Sequence, residues 1–367
     1  MKRTLSIIAA VLAVCTFLAA MLGCSTAPAA LKYNDTVITT NMYQFYMSRY
    51  KAQILSNYNS GQDNAAFWEK ILDEESGDTI ADFFETVVEE NIKINALCVG
   101  LFEEYGLKLD SDVYDSIDTE IGEMIDEYGS RAEFNLAASV YGVNDKMLRD
   151  IYIMDAKIKA VYSYLYGSSG IDAITDENRE TYYRDNYVHI KTIFVNTSYN
   201  TFEDEEGNLI YDETTGYLKT ENKSEDEIKA AKEKGEQLKA LLSSGEKFES
   251  LINDYTDDPA NEYYKDGFFF TQNSSYYGNV IDVAFELEEN EWGVAESEYG
   301  LHFVLRLPLT DEAYKNKDYE EFFSDLDNTI ANEKFDKKIN ELLPKVISYE
   351  EETKKYSLKD IEQNQEF

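Results

Sequence analysis

Two histidines, one Asp-Asp-Pro step and a scatter of hydroxyls are the main chemical equipment of this 367-residue chain. His189 lies in Tyr-Val-His-Ile-Lys-Thr-Ile-Phe-Val (187–195), and His302 lies in Tyr-Gly-Leu-His-Phe (299–303). Hydrolysis through a serine needs a histidine that takes its proton and an acid that orients that histidine. Neither histidine stands in such a sequence context. The chain has no Cys-x-x-Cys, His-Glu-x-x-His, phosphate-loop or Gly-x-Gly-x-x-Gly sequence and no EF-hand loop. No metal site and no cofactor is therefore expected.

The elements that must position these residues begin at Tyr187. Residues 187–195 alternate as a strand. Thr192 and His189 are three apart on it, which puts them on opposite faces. An acidic stretch, 198–223, carries Gly-Asn and Thr-Gly turn signals and reads as a hairpin insertion. Ser224 and Glu227 form a capping box for a helix through Leu242. A second helix begins near Phe248. The order over 183–308 is β-α-α-β-α-β.

Upstream, 31–39 is extended, with a turn at Asn34-Asp35. Amphipathic helices are predicted after a cap at Thr40 or Asn41, over 79–105, 110–128 and 131–141, and over 144–166 with Asn144 as cap. Together 31–180 makes a helical module. Cys98 falls on the apolar stripe of the second helix and reads as a buried thiol. Residues 309–349 are again helical. The stripe Phe322, Leu326, Ile330 and Phe335 is expected to pack back onto the first helices. The charged tail 350–367 reads as only partly ordered. The fold class is α+β, a helical module interrupted by a small mixed domain.

Asp and Glu number 72 against 34 Lys and Arg, a net charge of −38. So acidic a chain excludes nucleic acid as a partner and adhesion to anionic lipid. Residues 1–23 have Lys2 and Arg3, an apolar run and small residues before Cys24, the pattern of an export signal. Gly23-Cys24-Ser25 resembles a bacterial lipobox, which implies lipid attachment at Cys24. A linker, 24–30, follows. Of the three cysteines only Cys98 then remains in the body, so no disulfide framework is expected.

Gly-Glu-Lys-Phe-Glu (245–249), Thr-Asp-Asp-Pro (256–259), Val-Ala-Phe-Glu-Leu (283–287) and Tyr-Gly-Leu-His-Phe (299–303) resemble the second half of a parvulin-type peptidyl-prolyl isomerase domain. The helical region resembles that of the SurA and PrsA foldases through LKYNDTVITTNMYQFYM, EEYGLKLDSDVYDSI and SRAEFNLAASVYGVNDKMLRDIYI. The resemblance implies an extracytoplasmic, lipid-anchored folding factor of a bacterial membrane, with unfolded or newly secreted proteins as partners. The oligomeric state stays open, a dimer included.

Carried over, the resemblance implies catalytic roles for His302, Asp258 and Ser297, and walls for a proline ring at Tyr276, Val280 and Phe285. Thr192 stands where the family has a second histidine. Two readings follow. One is an active isomerase, which need only hold proline and favour a twisted amide against a barrier of ~20 kcal/mol. The other is a holdase whose isomerase domain serves as a scaffold or peptide platform.

Overall fold

The computed structural model describes residues 27–202, 204, 206, 209–212, 215–276 and 278–367. The expected leader, 1–23, and Cys24 lie outside the described residues. Among the described residues no helix is long and apolar enough to cross a membrane. The chain divides into two compact units. One runs to Ala173 and resumes over Asn332–Phe367; the other is Ile174–Ala331.

The first unit opens with an antiparallel pair, β1 (Ala29–Tyr33) and β2 (Thr36–Thr39). Asn34 turns the chain with φ 50°, a conformation asparagine tolerates better than most residues. The short strand Ile347–Ser348 pairs with β1 on its other edge. Helices α1 (Thr40–Tyr58), α2 (Ile80–Glu104), α3 (Ser111–Glu127), α4 (Arg131–Ala138) and α5 (Asp145–Tyr166) follow.

Two of these helix starts are written in the sequence. Thr79 and Asp82 form a reciprocal capping box on α2, and Asn144 accepts from Lys146 and Met147 at the start of α5. The buried face of α2 carries Val88, Ile92, Leu97 and Leu101. Cys98 sits there too, its thiol pushed up to about 12 by burial. The ring of Tyr33 lies so close to α2 at Gly100 that a Cβ there would stand 2.3 Å from Tyr33 Cδ1.

The tail departs from expectation. Thr353, Leu358, Ile361 and Asn364 are buried, and Phe367 stacks on Tyr128 and meets Phe134 edge-on. The acids of the tail are spaced by apolar residues that reach the helical core. Charge density alone hid that pattern.

In the second unit, α6 (Asp176–Asn186) leads into β3 (Tyr187–Asn196). A hairpin, β4 (Tyr199–Thr201) with β5 (Thr220–Asn222), precedes α7 (Glu225–Ser243) and α8 (Phe248–Tyr255). Then come β6 (Phe268–Thr271), α9 (Val280–Glu286), β7 (Trp292–Ser297) and β8 (Gly300–Leu307). The sheet order is β6-β3-β8-β7, with every pair antiparallel.

One face of this sheet carries Ile193, Val195, Phe303 and Leu305 under Leu238, Leu242 and Phe248 of α7 and α8. The other carries Val188, Ile190, Val304 and Ala295 under Val280, Ile281 and Ala284 of α9.

Three expectations need correction. The last expected strand is a hairpin of two, β7 and β8. It turns at Glu298-Tyr299, where no Asn-Gly or Pro marks a break. The helical module, expected to run to 180, ends at Ala173, and α6 belongs to the second unit, where its Tyr183 is fully buried. It donates to Thr310 O at 2.9 Å and packs against Phe269, Tyr314 and Phe323.

The segment 309–349 does not return to the helical module as a whole. Of the stripe, Leu326 and Ile330 join the cluster of Tyr183, Tyr187 and Phe269, and Phe322 packs against it, while Phe335 meets Tyr162 and Tyr166 of α5. The helix α10 (Leu326–Leu342) is continuous across Ala331, and its stripe serves one unit and then the other.

Candidate functional site

β3 and β8 bring the sequence-derived residues together. The register sets Phe194 opposite His302 and Thr192 opposite Val304. Directly opposed residues share a face, and so do residues two apart. Thr192, Phe194, His302 and Val304 therefore stand on one face. His189 turns to the other, as its spacing predicts. There it stacks on Phe269 at 4.2 Å, with its ring nitrogens 2.7 Å from Asp266 O and 3.3 Å from Pro308 O. It holds two loops and takes no part in the site.

His302 is 1 % exposed. Its ring stacks on Phe194 at 4.6 Å and 18°, and its Nε2 lies 2.9 Å from Ser297 Oγ. The turn that allows this geometry ends at Gly300. At φ +154° a Cβ there would meet Val195 O at 2.1 Å, so only glycine lets β8 start this close to β3. Burial holds the imidazole neutral, its pKa lowered to about 4.

That shift has a sign. The unfolded chain takes up the proton near pH 6.5, whereas the folded imidazole takes it near 4. The stability this site contributes is present above 6.5 and is lost as pH falls through that window, up to about 3 kcal/mol. The Cε1 proton of His302 should therefore hold its NMR shift from pH 8 to 5. With two histidines in the chain, a His302→Gln variant assigns it. A midpoint near 6.5 would refute the buried, neutral imidazole.

Asp258 reaches the same face from the segment between α8 and β6. Its neighbours tie that segment to the end of β3. Asp257 N donates to Phe194 O at 2.7 Å, Asp257 Oδ2 accepts from Asn196 N at 2.9 Å, and Lys234 pairs with Asp257 at 2.8 Å. Asp258 Oδ1 accepts from Ala260 N at 2.9 Å, and Oδ2 accepts from the Tyr276 hydroxyl at 3.3 Å. The Tyr276 ring spans the space between, 5.1 Å from Phe270 and 6.3 Å from His302.

The structure thus gathers His302, Ser297, Asp258 and Tyr276. It separates two others. Val280 is fully buried in the α9 core, and Phe285 packs against that core from its edge. Thr192 is 0 % exposed, and its Oγ1 has no hydrogen-bond partner among the described residues. Sequence reasoning missed Phe194, which stacks on His302, and Phe270, which meets the Tyr276 ring and, like Phe268, is buried in the cluster that holds Val280. The phenylalanine run 268–270 was the available signal.

The arrangement offers no activated nucleophile. It offers a neutral imidazole–hydroxyl pair, a carboxylate and aromatic rings beside a sheet, which suits holding a prolyl amide and disfavouring the charge separation of its planar form rather than cleaving it.

Residues 209–306 match the family model of the PPIC-type PPIase domain. The match takes in Asp258, Tyr276, Val280, Phe285, Ser297 and His302 and begins after β3, so Thr192 lies outside it. This agrees with the parvulin-type resemblance read from the sequence. No curated protein sequence matches the chain.

Among solved structures, PrsA from Bacillus subtilis is 15% identical over 78% of this chain and 91% of its own, with a TM-score of 0.24. The peptidylprolyl isomerase PrsA from Bacillus cereus is 19% identical over 75% and 90%, with a TM-score of 0.29. A SurA-like chaperone from Campylobacter jejuni is 15% identical over 64% and 95%, with a TM-score of 0.19. These structural likenesses are weak.

Proposed function

We propose, from the PPIC-type PPIase domain that residues 209–306 of this chain carry, that the protein is an extracytoplasmic folding factor that binds prolyl segments of unfolded proteins. The peptide lies across the face that bears His302. The observation that carries this reading is the convergence of Asp258, from the segment before β6, with Ser297 and His302 of the β7–β8 hairpin, beside the rings of Phe194 and Tyr276. Apolar rings accept a proline ring. A neutral imidazole–serine pair and a carboxylate meet the carbonyl without capturing it covalently. Activity on Xaa-Pro peptides, measured by the exchange of cis and trans NMR signals with the full chain, tests the reading. Peptides that neither bind nor exchange faster overturn it.

Thr192 favours the second reading, in which binding outlives catalysis. A buried hydroxyl cannot supply the two-sided contact of an imidazole. The domain then works chiefly as a peptide platform.

The basic start, apolar run and Gly-Cys step support export and lipid attachment at Cys24, on the outer face of a bacterial cytoplasmic membrane. Cys24→Ala should abolish acylation and leave the precursor uncleaved. Mature, acylated protein of wild-type size from this variant would refute the anchor.

A further inference from the structure

The helical unit carries an exposed aromatic surface that the prolyl site does not use. On α2, Ile80, Phe83, Phe84 and Val87 follow at helical spacing, yet none of them is buried. Phe83 is 48% exposed. Phe84 joins it to Tyr58 at the end of α1, through ring contacts of 5.2 Å and 5.3 Å, and Tyr58 is 66% exposed. The preceding loop runs beside this end of α2. Ile71 pairs with Thr79 as an antiparallel bridge, and Leu72 N donates to Asp78 O at 2.8 Å. Ile71 and Leu72 are each 56% exposed.

Ile80, Phe84 and Val87 are half-buried, and Tyr58, Ile71, Leu72 and Phe83 are exposed; contiguous apolar surface of this kind marks protein-interaction sites. Its surroundings name the partner. From 69 to 82 the chain holds Glu69, Asp73, Glu74, Glu75, Asp78 and Asp82 against Lys70 alone. Asp73, Asp78 and Asp82 bond locally to Glu75 N, Ser76 and Thr79, which holds the loop in place and keeps the carboxylates at the patch. A bound chain meets aromatic rings at the centre and negative charge at the rim.

We propose that this surface binds segments of unfolded chains in which aromatic or aliphatic residues are flanked by Lys or Arg, and that it rejects the same segments when flanked by acids. The apolar residues supply most of the affinity, and the rim supplies selection and salt dependence. The surface belongs to the helical unit and does not depend on prolyl isomerisation, so loss of catalysis leaves it intact.

Fluorescence anisotropy with the full chain tests this on three labelled twelve-residue peptides. They share one aromatic-aliphatic centre and carry Lys, Ser or Glu flanks. The Lys peptide should bind tightest, and its preference over the Ser peptide should shrink as salt rises from 50 to 500 mM. A Phe83→Ser, Tyr58→Ser double variant should weaken all binding by about tenfold or more. Both side chains are exposed, so an unchanged circular dichroism spectrum and melting midpoint show that the fold survives. Glu74→Lys with Glu75→Lys should move the preference toward the Glu peptide. Equal affinity for the three peptides, or full binding by the double variant, overturns the proposal.

Discussion

Deletion of residues 350–367 should lower the melting midpoint of the helical unit by roughly 10 °C or more. Leu358 is fully buried and Ile361 nearly so, and each contributes roughly 1.5–3 kcal/mol by burial. Lys51 is 1% exposed, and its Nζ donates to Ile361 O at 2.6 Å while pairing with Asp63 at 2.7 Å. Without the tail this ammonium keeps Asp63 but loses an acceptor and its cover, a cost of about 1–3 kcal/mol. Glu85 loses the bonds it accepts from Ser357 and Leu358 N, and Ser48 O loses Asn364 N. The total, on the order of 5 kcal/mol, rivals the whole stability of a typical domain. Trp68 is buried in this unit and Trp292 belongs to the other, so Trp292→Phe leaves one fluorescent reporter for the transition. A midpoint within about 2 °C of the full chain would show the tail to be dispensable.

Catalysis of prolyl isomerisation should be weak. The parvulin-type resemblance implies a second histidine at the position of Thr192, so the paired-histidine network it implies would be missing; the Thr192 hydroxyl is sealed in the sheet without a partner among the described residues. Lost positioning in a preorganised site costs about 2–4 kcal/mol, or roughly 30- to 1000-fold in rate. Val280 adds to the loss, since it is spent on the α9 core. Tyr276 already bonds to Asp258, which occupies one of the acceptor sites of the carboxylate. Asp258→Ala and His302→Ala should therefore change the small rate little. Thr192→His alone should not restore a full rate. The measurement is the cis–trans exchange rate of an Xaa-Pro peptide with each variant. Robust wild-type catalysis that collapses in His302→Ala would show that the site works without its usual partner, and the isomerase reading would then outrank the platform.

Local chemistry was legible in the residues themselves. The capping boxes at Thr79 and Ser224, the Asn144 cap, the Asn34 turn and the alternation of 187–195 each rest on backbone groups within a few residues. So does the separation of His189 from Thr192, which follows from the two-residue period of a strand. Contacts between distant segments were decided by the tertiary structure. No spacing rule says that Phe194 stacks on His302, because the register of β3 against β8 sets that pair. None says that Tyr276 bonds to Asp258 across 18 residues, or that Val280 is spent on the core.

The assignment of Phe322, Leu326 and Ile330 to one unit and Phe335 to another had the same cause. A stripe states that a face seeks burial but does not name its partner. The tail shows the limit from the other side. Its acids suggested solvation, yet a buried lysine 310 positions upstream needed an acceptor, and the folded chain supplied it from Ile361.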